Sequence, residues 1–491
     1  MGTAPPDWLR RRLAGGLGGV VLFSRNIEHP AQVRALVDAM RAENPDVVVA
    51  IDEEGGDVTR LEADRGSSRP GNLALGAVDD PALTEAVARD IGRDLAAAGV
   101  TLNYAPDADV NSNPDNPVIG VRSFGADPEL VARHTAAWVR GLQSTGVAAC
   151  AKHFPGHGDT SVDSHLALPA LGGSATQLSA VALPPFRAAI EAGVRTIMTA
   201  HLLVTAYDAD APATMSRRIL IELLRGELGF DGLIITDGIE MRAVADRYGM
   251  AGAAVRAIAA GADAVCVGGG REHAGESTYD ELRTALVDAV SSGELPEERL
   301  ADAARRVREL AAWTAAASGT TSAPASSEDG AIGLTAARRA VRLTDPGGVL
   351  PLAGAPHVVE LSPLLHQAID KHTPWGVAGP IARLRPEATS TRLHQGAAAG
   401  DGAMVTAVTE AAAGRPLVLT VRDAHRHPWM TAAVRHILAA RPDAVVVELG
   451  LPGPTPLGAV YLATHGAARV CAQAAAEVLL GEPVGQGLTR P

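Results

Sequence analysis

The chain has 491 residues, 47% of them hydrophobic but only 3% aromatic, so a sizeable core is expected and it must be aliphatic. A net charge of −13, spread along the chain, argues against a nucleic-acid or anionic-membrane partner, either of which calls for a basic patch. The three cysteines, Cys150, Cys266 and Cys471, are far apart and odd in number. They make neither a disulfide framework nor a zinc spacing, and read as small buried hydrophobes in a reduced compartment.

The N-terminal "MGTAPPDWLRRRLAGG" lacks an apolar h-region, and no run in the chain approaches the roughly 18 apolar residues of a membrane span. The expectation is a cytoplasmic protein without a membrane partner. Short apolar runs then recur with helical stretches between them. They are "GVVLF" (19–23), "VVVAID" (47–52), "VTLNYAP" (100–106), "VAACAKHF" (147–154), "RTIMTAH" (195–201), "GLIITDG" (232–238) and "ADAVCVG" (262–268). Each is short and rich in β-branched residues, as strands buried on both faces are. The stretches "PAQVRALVDAMRAE" (30–43) and "DPELVARHTAAWVRGLQSTG" (127–146) read as crossover helices, which predicts a parallel sheet.

Asp52, Lys152 with His153, His201 and Asp237 all stand where a strand runs out. Functional residues at four or more strand ends favour a closed (β/α) barrel of the TIM type over an open sheet, which gathers its site at one crevice. Seven strands are countable; an eighth would precede the chain start or be disguised near it. The first domain is therefore expected over residues 1–313. The small, polar "TAAASGTTSAPASSEDG" (314–330) reads as a linker. Strand-like runs resume at "HVVELS" (357–362), "PLVLTVRD" (416–423) and "AVVVELG" (444–450), predicting a smaller α/β sandwich domain over 331–491. In it Arg422, His425 and His427 follow a strand and are either a solvated loop or groups that reach the barrel mouth.

The chemistry concentrates in "AKHFPGHGDTSVDSHLALP" (151–169). In Asp163-Ser164-His165, residues two apart point the same way on extended backbone, so the carboxylate can reach imidazole Nδ1. Such a contact orients the ring and stabilises the imidazolium, which makes His165 a proton carrier near neutral pH. The alternative is a surface Asp–His pair. Asp237 in "GLIITDGIEM" follows a strand and precedes a helix, so it is either a carboxylate facing the barrel mouth or a helix N-cap. Asp52 in "AIDEEGGDVTR" repeats the pattern, with Gly55-Gly56 allowing a sharp turn behind it.

Together, "GVVLFSRNI" (19–27), "AIDEEGGDVTRL" (50–61), "NYAPDADVNSNPDNPVIGVRSFG" (103–125), "KHFPGHGDTSVDSH" (152–165), "PATMS" (212–216) and "ELGFDGLIITDGIEM" (227–241) resemble family 3 glycoside hydrolases of the β-N-acetylglucosaminidase branch, over about residues 15–310. The resemblance implies a retaining exo-hydrolysis of terminal β-linked N-acetylglucosamine. Asp237 would be the nucleophile, His165 the general acid and then base, and Asp163 its orienting partner. It also implies that Asp52, Arg60, Arg122, Lys152 and His153 bind the sugar's hydroxyls and acetamido group. His157 and Asp159 would be loop architecture first. No cofactor and no metal are implied. The partner would be a small-molecule oligosaccharide, a wall fragment as in peptidoglycan recycling or a chitin fragment, with a homodimer left open. Asp57 stands where the family often has Arg, and Gly238 where Asp or Ala is more usual.

Three other readings stay open. A metal-dependent hydrolase could recruit His153, His157, Asp159, His165, His201 and Asp237. A phosphorylase could use the same site with phosphate as acceptor, because an imidazole does not repel it as a carboxylate would. A sugar-binding protein with a degenerate site is the third. Substrate assistance by Asp52-Glu53 is disfavoured, since the resemblance puts Asp52 on the sugar hydroxyls.

Overall fold

In the computed structural model, the described residues are 1–268, 275–318, 331–364, 368–396 and 402–482. They fall into two compact units. The first takes in Met1–Glu54, Asp80–Ile119 and the described part of Ser123–Ser327; the second takes in Gly55–Asp79, Gly120–Arg122 and the described part of Glu328–Pro491.

The first unit is built on a parallel seven-stranded sheet. Its strands are β1 (Gly19–Leu22), β2 (Val48–Ile51), β3 (Leu102–Asn103), β4 (Ala148–Phe154), β5 (Thr196–Thr199), β6 (Leu233–Gly238) and β7 (Ala264–Cys266). They follow one another in chain order across the sheet, each paired in parallel with the next. This sequential order is that of a barrel wall, and all seven expected runs contribute a strand. No eighth strand joins this sheet among the described residues.

Side chains of five consecutive strands, β2 to β6, pack as an aliphatic plug of Val48, Ala50, Leu102, Ala148, Met198, Leu233 and Ile235. Tyr104 adds one of the chain's few aromatics to it. The helix Glu297–Ser318 lends Leu310 and Ala311 to the same cluster. That helix also meets residues just ahead of three strands. A Cβ on Gly18 would sit 3.0 Å from Val307, the Arg306 guanidinium donates to the Asp231 carbonyl, and Arg195 lies 4.8 Å over the Trp313 ring. It therefore seals the N-terminal end, which leaves the C-terminal strand ends as the open face. Because the helix runs to Ser318, the first five residues of the expected linker are helical instead; 319–330 lie outside the described residues. The Ala315–Ala317 run is a good helix former, and its small side chains suit a helix as well as a linker.

The crossover helices fall close to expectation, at Pro30–Arg41 and Pro128–Gln143. Each begins with proline at its first position, where the missing N–H costs nothing. Asp127 caps the second by accepting from Glu129 N.

The second unit carries a six-stranded sheet of β8 (Arg342–Thr344), β9 (His357–Ser362), β10 (Thr389–His394), β11 (Leu417–Val421), β12 (Val445–Glu448) and β13 (Val460–Ala463). The order is β8-β13-β12-β11-β9-β10, with β8 antiparallel to β13 and all other pairs parallel. This is a doubly wound sheet with apolar clusters on both faces. The runs at 357–362, 416–423 and 444–450 supply β9, β11 and β12. The polar edge strand β10, the short β8 and the tyrosine-containing β13 lacked a long apolar run to announce them. No helix among the described residues is long and apolar enough to cross a membrane.

Candidate active site

Four strand ends of the barrel bring the expected groups to one face. At the end of β2, the Asp52 carboxylate accepts from Lys152 Nζ at 2.6 Å, and Glu54 accepts from the same ammonium at 2.7 Å. Lys152 lies in β4, its side chain only 3% exposed, so one buried cation is held between two carboxylates. The lysine could not remain charged at that depth without such partners. Asn103, the last residue of β3, fixes this segment: its Oδ1 accepts from Glu53 N at 2.9 Å and its Nδ2 donates to Glu53 O at 2.8 Å. Glu53 itself is buried, and Asp52 keeps 21% side-chain exposure.

His153 follows Lys152, and the peptide between them is cis. The Asp109 carboxylate, fully buried, accepts from His153 N at 3.3 Å and pairs with His153 Nδ1 at 2.8 Å. It also accepts from His157 N at 2.6 Å. Burial opposes the charge on Asp109, but the His153 and His157 contacts prevail and hold its pKa below the usual carboxylate range. Asp107, Asp109 and His153 offer donor atoms within 4.8 Å of one another, a set that could in principle hold a cation. Asp109, however, already spends both carboxylate oxygens on four N–H contacts.

Asp237 sits inside β6, not at a helix N-terminus: the next helix starts at Arg242 behind Met241. The N-cap alternative is therefore excluded. Its Oδ1 accepts from Gly238 N at 2.7 Å. Burial would raise its pKa, yet the imidazoles of His153, His201 and His165, with the Gly238 N–H, hold it down at about 2. Asp237 is thus a carboxylate at any physiological pH, and three of its electrostatic neighbours are site histidines. A Cβ at position 238 would stand 3.0 Å from Glu240 Oε1, the far end of a flexible side chain, so sterics do not demand glycine there.

His201, after β5, anchors this strand end. Its Nε2 bonds the Gly238 carbonyl at 3.0 Å and its Nδ1 bonds Thr214 Oγ1 at 2.8 Å. Burial pushes the ring's pKa down, which suits a neutral structural donor. Thr214 comes from the 212–216 segment and also meets Thr199 at 2.8 Å.

In the loop after β4, the Asp163 Oδ1 accepts from His165 N at 2.9 Å and from His165 Nδ1 at 2.8 Å. The imidazole retains 24% side-chain exposure, against 10% for its carboxylate. The tautomer this favours carries its proton on Nδ1. His157 and His201 have both ring nitrogens engaged within the protein, so they are not gathered with Asp237 as a ligand set.

Arg60 and Arg122, expected at the same site, belong to the second unit. There Arg60 Nη2 donates to the Ala368 carbonyl at 2.9 Å, and Arg122 is buried in a 3₁₀ turn whose last carbonyl accepts from Asn72. Arg422 is not on a solvated loop: it is 4% exposed and pairs with Asp57 at 2.5 Å. Asp57 also accepts from Ala467 N at 2.8 Å, ahead of the helix Arg469–Leu480. The acidic residue at a position usually basic is thus matched by an arginine of its own unit.

Glu54, Asn103 and Asp109 escaped the sequence reading. Asp109 and Asn103 lie in the 103–125 stretch singled out as a motif, and acidic or amide residues directly after a strand were the available clue. Their roles depend on which neighbouring strand end they face.

The profile described as "Glycosyl hydrolase family 3 N terminal domain" matches residues 10–310. Beta-hexosaminidase A of Pseudoalteromonas piscicida is 34% identical over 332 residues, 63% of this chain and 56% of that protein. The chain therefore spans little more than half the length of that relative. A beta-hexosaminidase of Alkalilimnicola ehrlichii is 40% identical over 257 residues, 51% of this chain and 73% of its own length. A glycoside hydrolase family 3 beta-N-acetylglucosaminidase from Paenibacillus sp. has a solved structure that superposes with a TM-score of 0.87 at 33% identity, covering 99% of this chain and 95% of that one. The chain belongs to glycosyl hydrolase family 3.

Proposed function

We propose that the chain is a retaining exo-β-N-acetylglucosaminidase that removes terminal β-linked N-acetylglucosamine from wall-derived or chitin-derived oligosaccharides. The observation that carries the reading is the Asp237 carboxylate in β6, its pKa held low despite burial by the imidazoles of His153, His201 and His165 around it, with His165 Nδ1 bonded in turn to a carboxylate at 2.8 Å. The names of the relatives, hexosaminidases and an acetylglucosaminidase, support the sugar class.

In the first step Asp237 attacks the anomeric carbon and the glycosidic C–O bond breaks. His165 Nε2 protonates the departing oxygen. The Asp163 carboxylate offsets the imidazolium charge before transfer and keeps the ring aimed. The product is a glycosyl–Asp237 ester. In the second step the now neutral His165 takes a proton from water, which attacks the same carbon from the vacated side while the bond to Asp237 breaks and its carboxylate is released. Two displacements give net retention. Asp52, Lys152 and His153 bind the hydroxyl and acetamido groups, their positions fixed by Glu54, Asn103 and Asp109.

A fluorinated N-acetylglucosaminide that slows the second step should label Asp237, read by peptide mass mapping. A label elsewhere, or none while substrate is turned over, overturns the assignment. One feature favours a second reading: an imidazole in place of a second carboxylate would not repel phosphate. Turnover in phosphate buffer separates the two, since a phosphorylase yields the sugar 1-phosphate and a hydrolase the free sugar.

A further inference from the structure

The loop after β4 has a firm half and a loose half. In the firm half, a Cβ on Gly158 would lie 1.8 Å from the Val110 carbonyl oxygen, so only glycine lets the backbone pack there. Asp109 holds His157 N at 2.6 Å, and Asn116 Nδ2 donates to the His157 carbonyl at 2.9 Å. In the loose half, Ser161, Val162, Leu166 and Ala167 are exposed, with Val162 at 42% and Leu166 at 54%. Ser164, between the two members of the Asp163–His165 pair, is nonetheless 2% exposed. Its hydroxyl shares a 3.0 Å hydrogen bond with His157 Nε2. The other ring nitrogen of His157 meets Thr160 Oγ1 at 2.8 Å, and the ring is 2% exposed.

We propose that His157 is a positioning residue for the acid/base step, a buried latch that grips Ser164 and so sets where the Asp163–His165 pair stands. The proposal rests on the acid/base reading of His165 given above. His157 is well suited to the task. Its backbone is pinned at both the N–H and the carbonyl, so the ring is a fixed post. Burial drives its pKa down to about 4, against the pull of Asp109, so it is uncharged while the enzyme works. A neutral contact to a serine hydroxyl is strong enough to bias the loop and weak enough to release it, whereas an ion pair would hold it fast. The latch takes hold between the pair's two members, so the carboxylate and the imidazole move together and their mutual 2.8 Å bond survives any swing.

The test separates positioning from mere stability by varying the leaving group. A 2,4-dinitrophenyl glycoside departs without protonation, whereas a methyl glycoside needs the acid. Ser164→Ala, His157→Ala, the double variant and His165→Ala are compared on both substrates in the full chain. His165→Ala should lose far more on the methyl glycoside, which qualifies the assay. Ser164→Ala should lose roughly tenfold in kcat on the methyl glycoside, the worth of about one neutral hydrogen bond, with KM little changed. On the dinitrophenyl glycoside it should stay within about twofold in the glycosylation rate. The double variant should be no worse than the worse single one, and His157→Gln should restore part of the loss. Equal losses on both substrates, or additive losses, overturn the latch. Ser164→Ala removes only one hydroxyl from a loop, so it decides the matter even where His157→Ala does not fold. If His165→Ala itself shows no leaving-group dependence, the acid/base reading fails and the latch with it; if His165→Ala does and Ser164→Ala does not, the latch alone fails.

Discussion

Both sheets end their parallel strands in charge, and they use it differently. At the strand ends of the barrel, Asp52 and His165 keep 21% and 24% side-chain exposure, and the groups behind them, Lys152 and Asp163, are more deeply set. At the strand ends of the second unit the charges are consumed. Arg422 closes on Asp57 with 4% and 2% side-chain exposure. Glu448, ending β12, accepts from the backbone N–H groups of Asp423, Ala424 and Gly450 at 2.7–3.1 Å. Burial and the neighbouring Asp423 push its pKa up to about 8. A charged residue after a strand is thus a binding group only where some of its hydrogen-bonding capacity faces open space. Where the protein's own backbone uses that capacity, the same residue type is a staple.

The largest effect that could break this comparison is at Asp237. Asp237→Ala should cut turnover of an aryl N-acetylglucosaminide by on the order of 10⁴-fold or more, with the thermal transition in place. A loss under about tenfold would mean that this strand-end carboxylate is a staple as well.

In the second unit the same kind of deletion should act on stability. Arg422→Ala leaves the Asp57 carboxylate buried without its cation and should cost about 3–5 kcal/mol in denaturant unfolding, while removing both partners should cost less than removing Arg422 alone. A double variant worse than the single one would contradict the staple.

Asn103→Ala sharpens the contrast within the barrel, because both of its bonds go to Glu53 rather than toward a substrate. Two backbone groups lose their partner, so a loss of about 1–3 kcal/mol in stability is expected, with KM rising more than kcat falls.

Glu448 gives the smallest and most specific signal. With its folded pKa raised above the unfolded one, the folded chain holds a proton that the unfolded chain has released between about pH 4.5 and about 8. Its contribution to stability therefore declines as pH rises through that window and levels off above it. Unfolding of the wild type and of Glu448→Gln from about pH 5 to about pH 9 should converge or cross by up to about 1.4 kcal/mol per pH unit. Parallel curves would show that Glu448 does not change protonation on folding.

Much of this was legible beforehand because the evidence was local. The central barrel strands, β2 to β5, are buried on both faces and therefore read as continuous apolar runs. The Asp163–His165 contact spans only two residues, although a turn rather than the expected extended backbone closes it: Leu166 N donates to the Asp163 carbonyl at 2.9 Å and His165 N to the Asp163 carboxylate at 2.9 Å. Residues 314–318 are helical where a linker is expected for an equally local reason, since small residues suit both a helix and a tether.

What the chain determined by itself is the period and burial of its segments and the presence of a short-range carboxylate–imidazole pair, since these depend only on neighbours along the backbone. What tertiary structure alone decided is partnership across distance. Lys152 meets Asp52 and Glu54 from about a hundred positions away, and Asp109 reaches His153 and His157 across more than forty. Arg422 meets Asp57 across 365. Such pairings follow from which strand ends and loops each unit brings side by side, and no spacing rule along the chain encodes that.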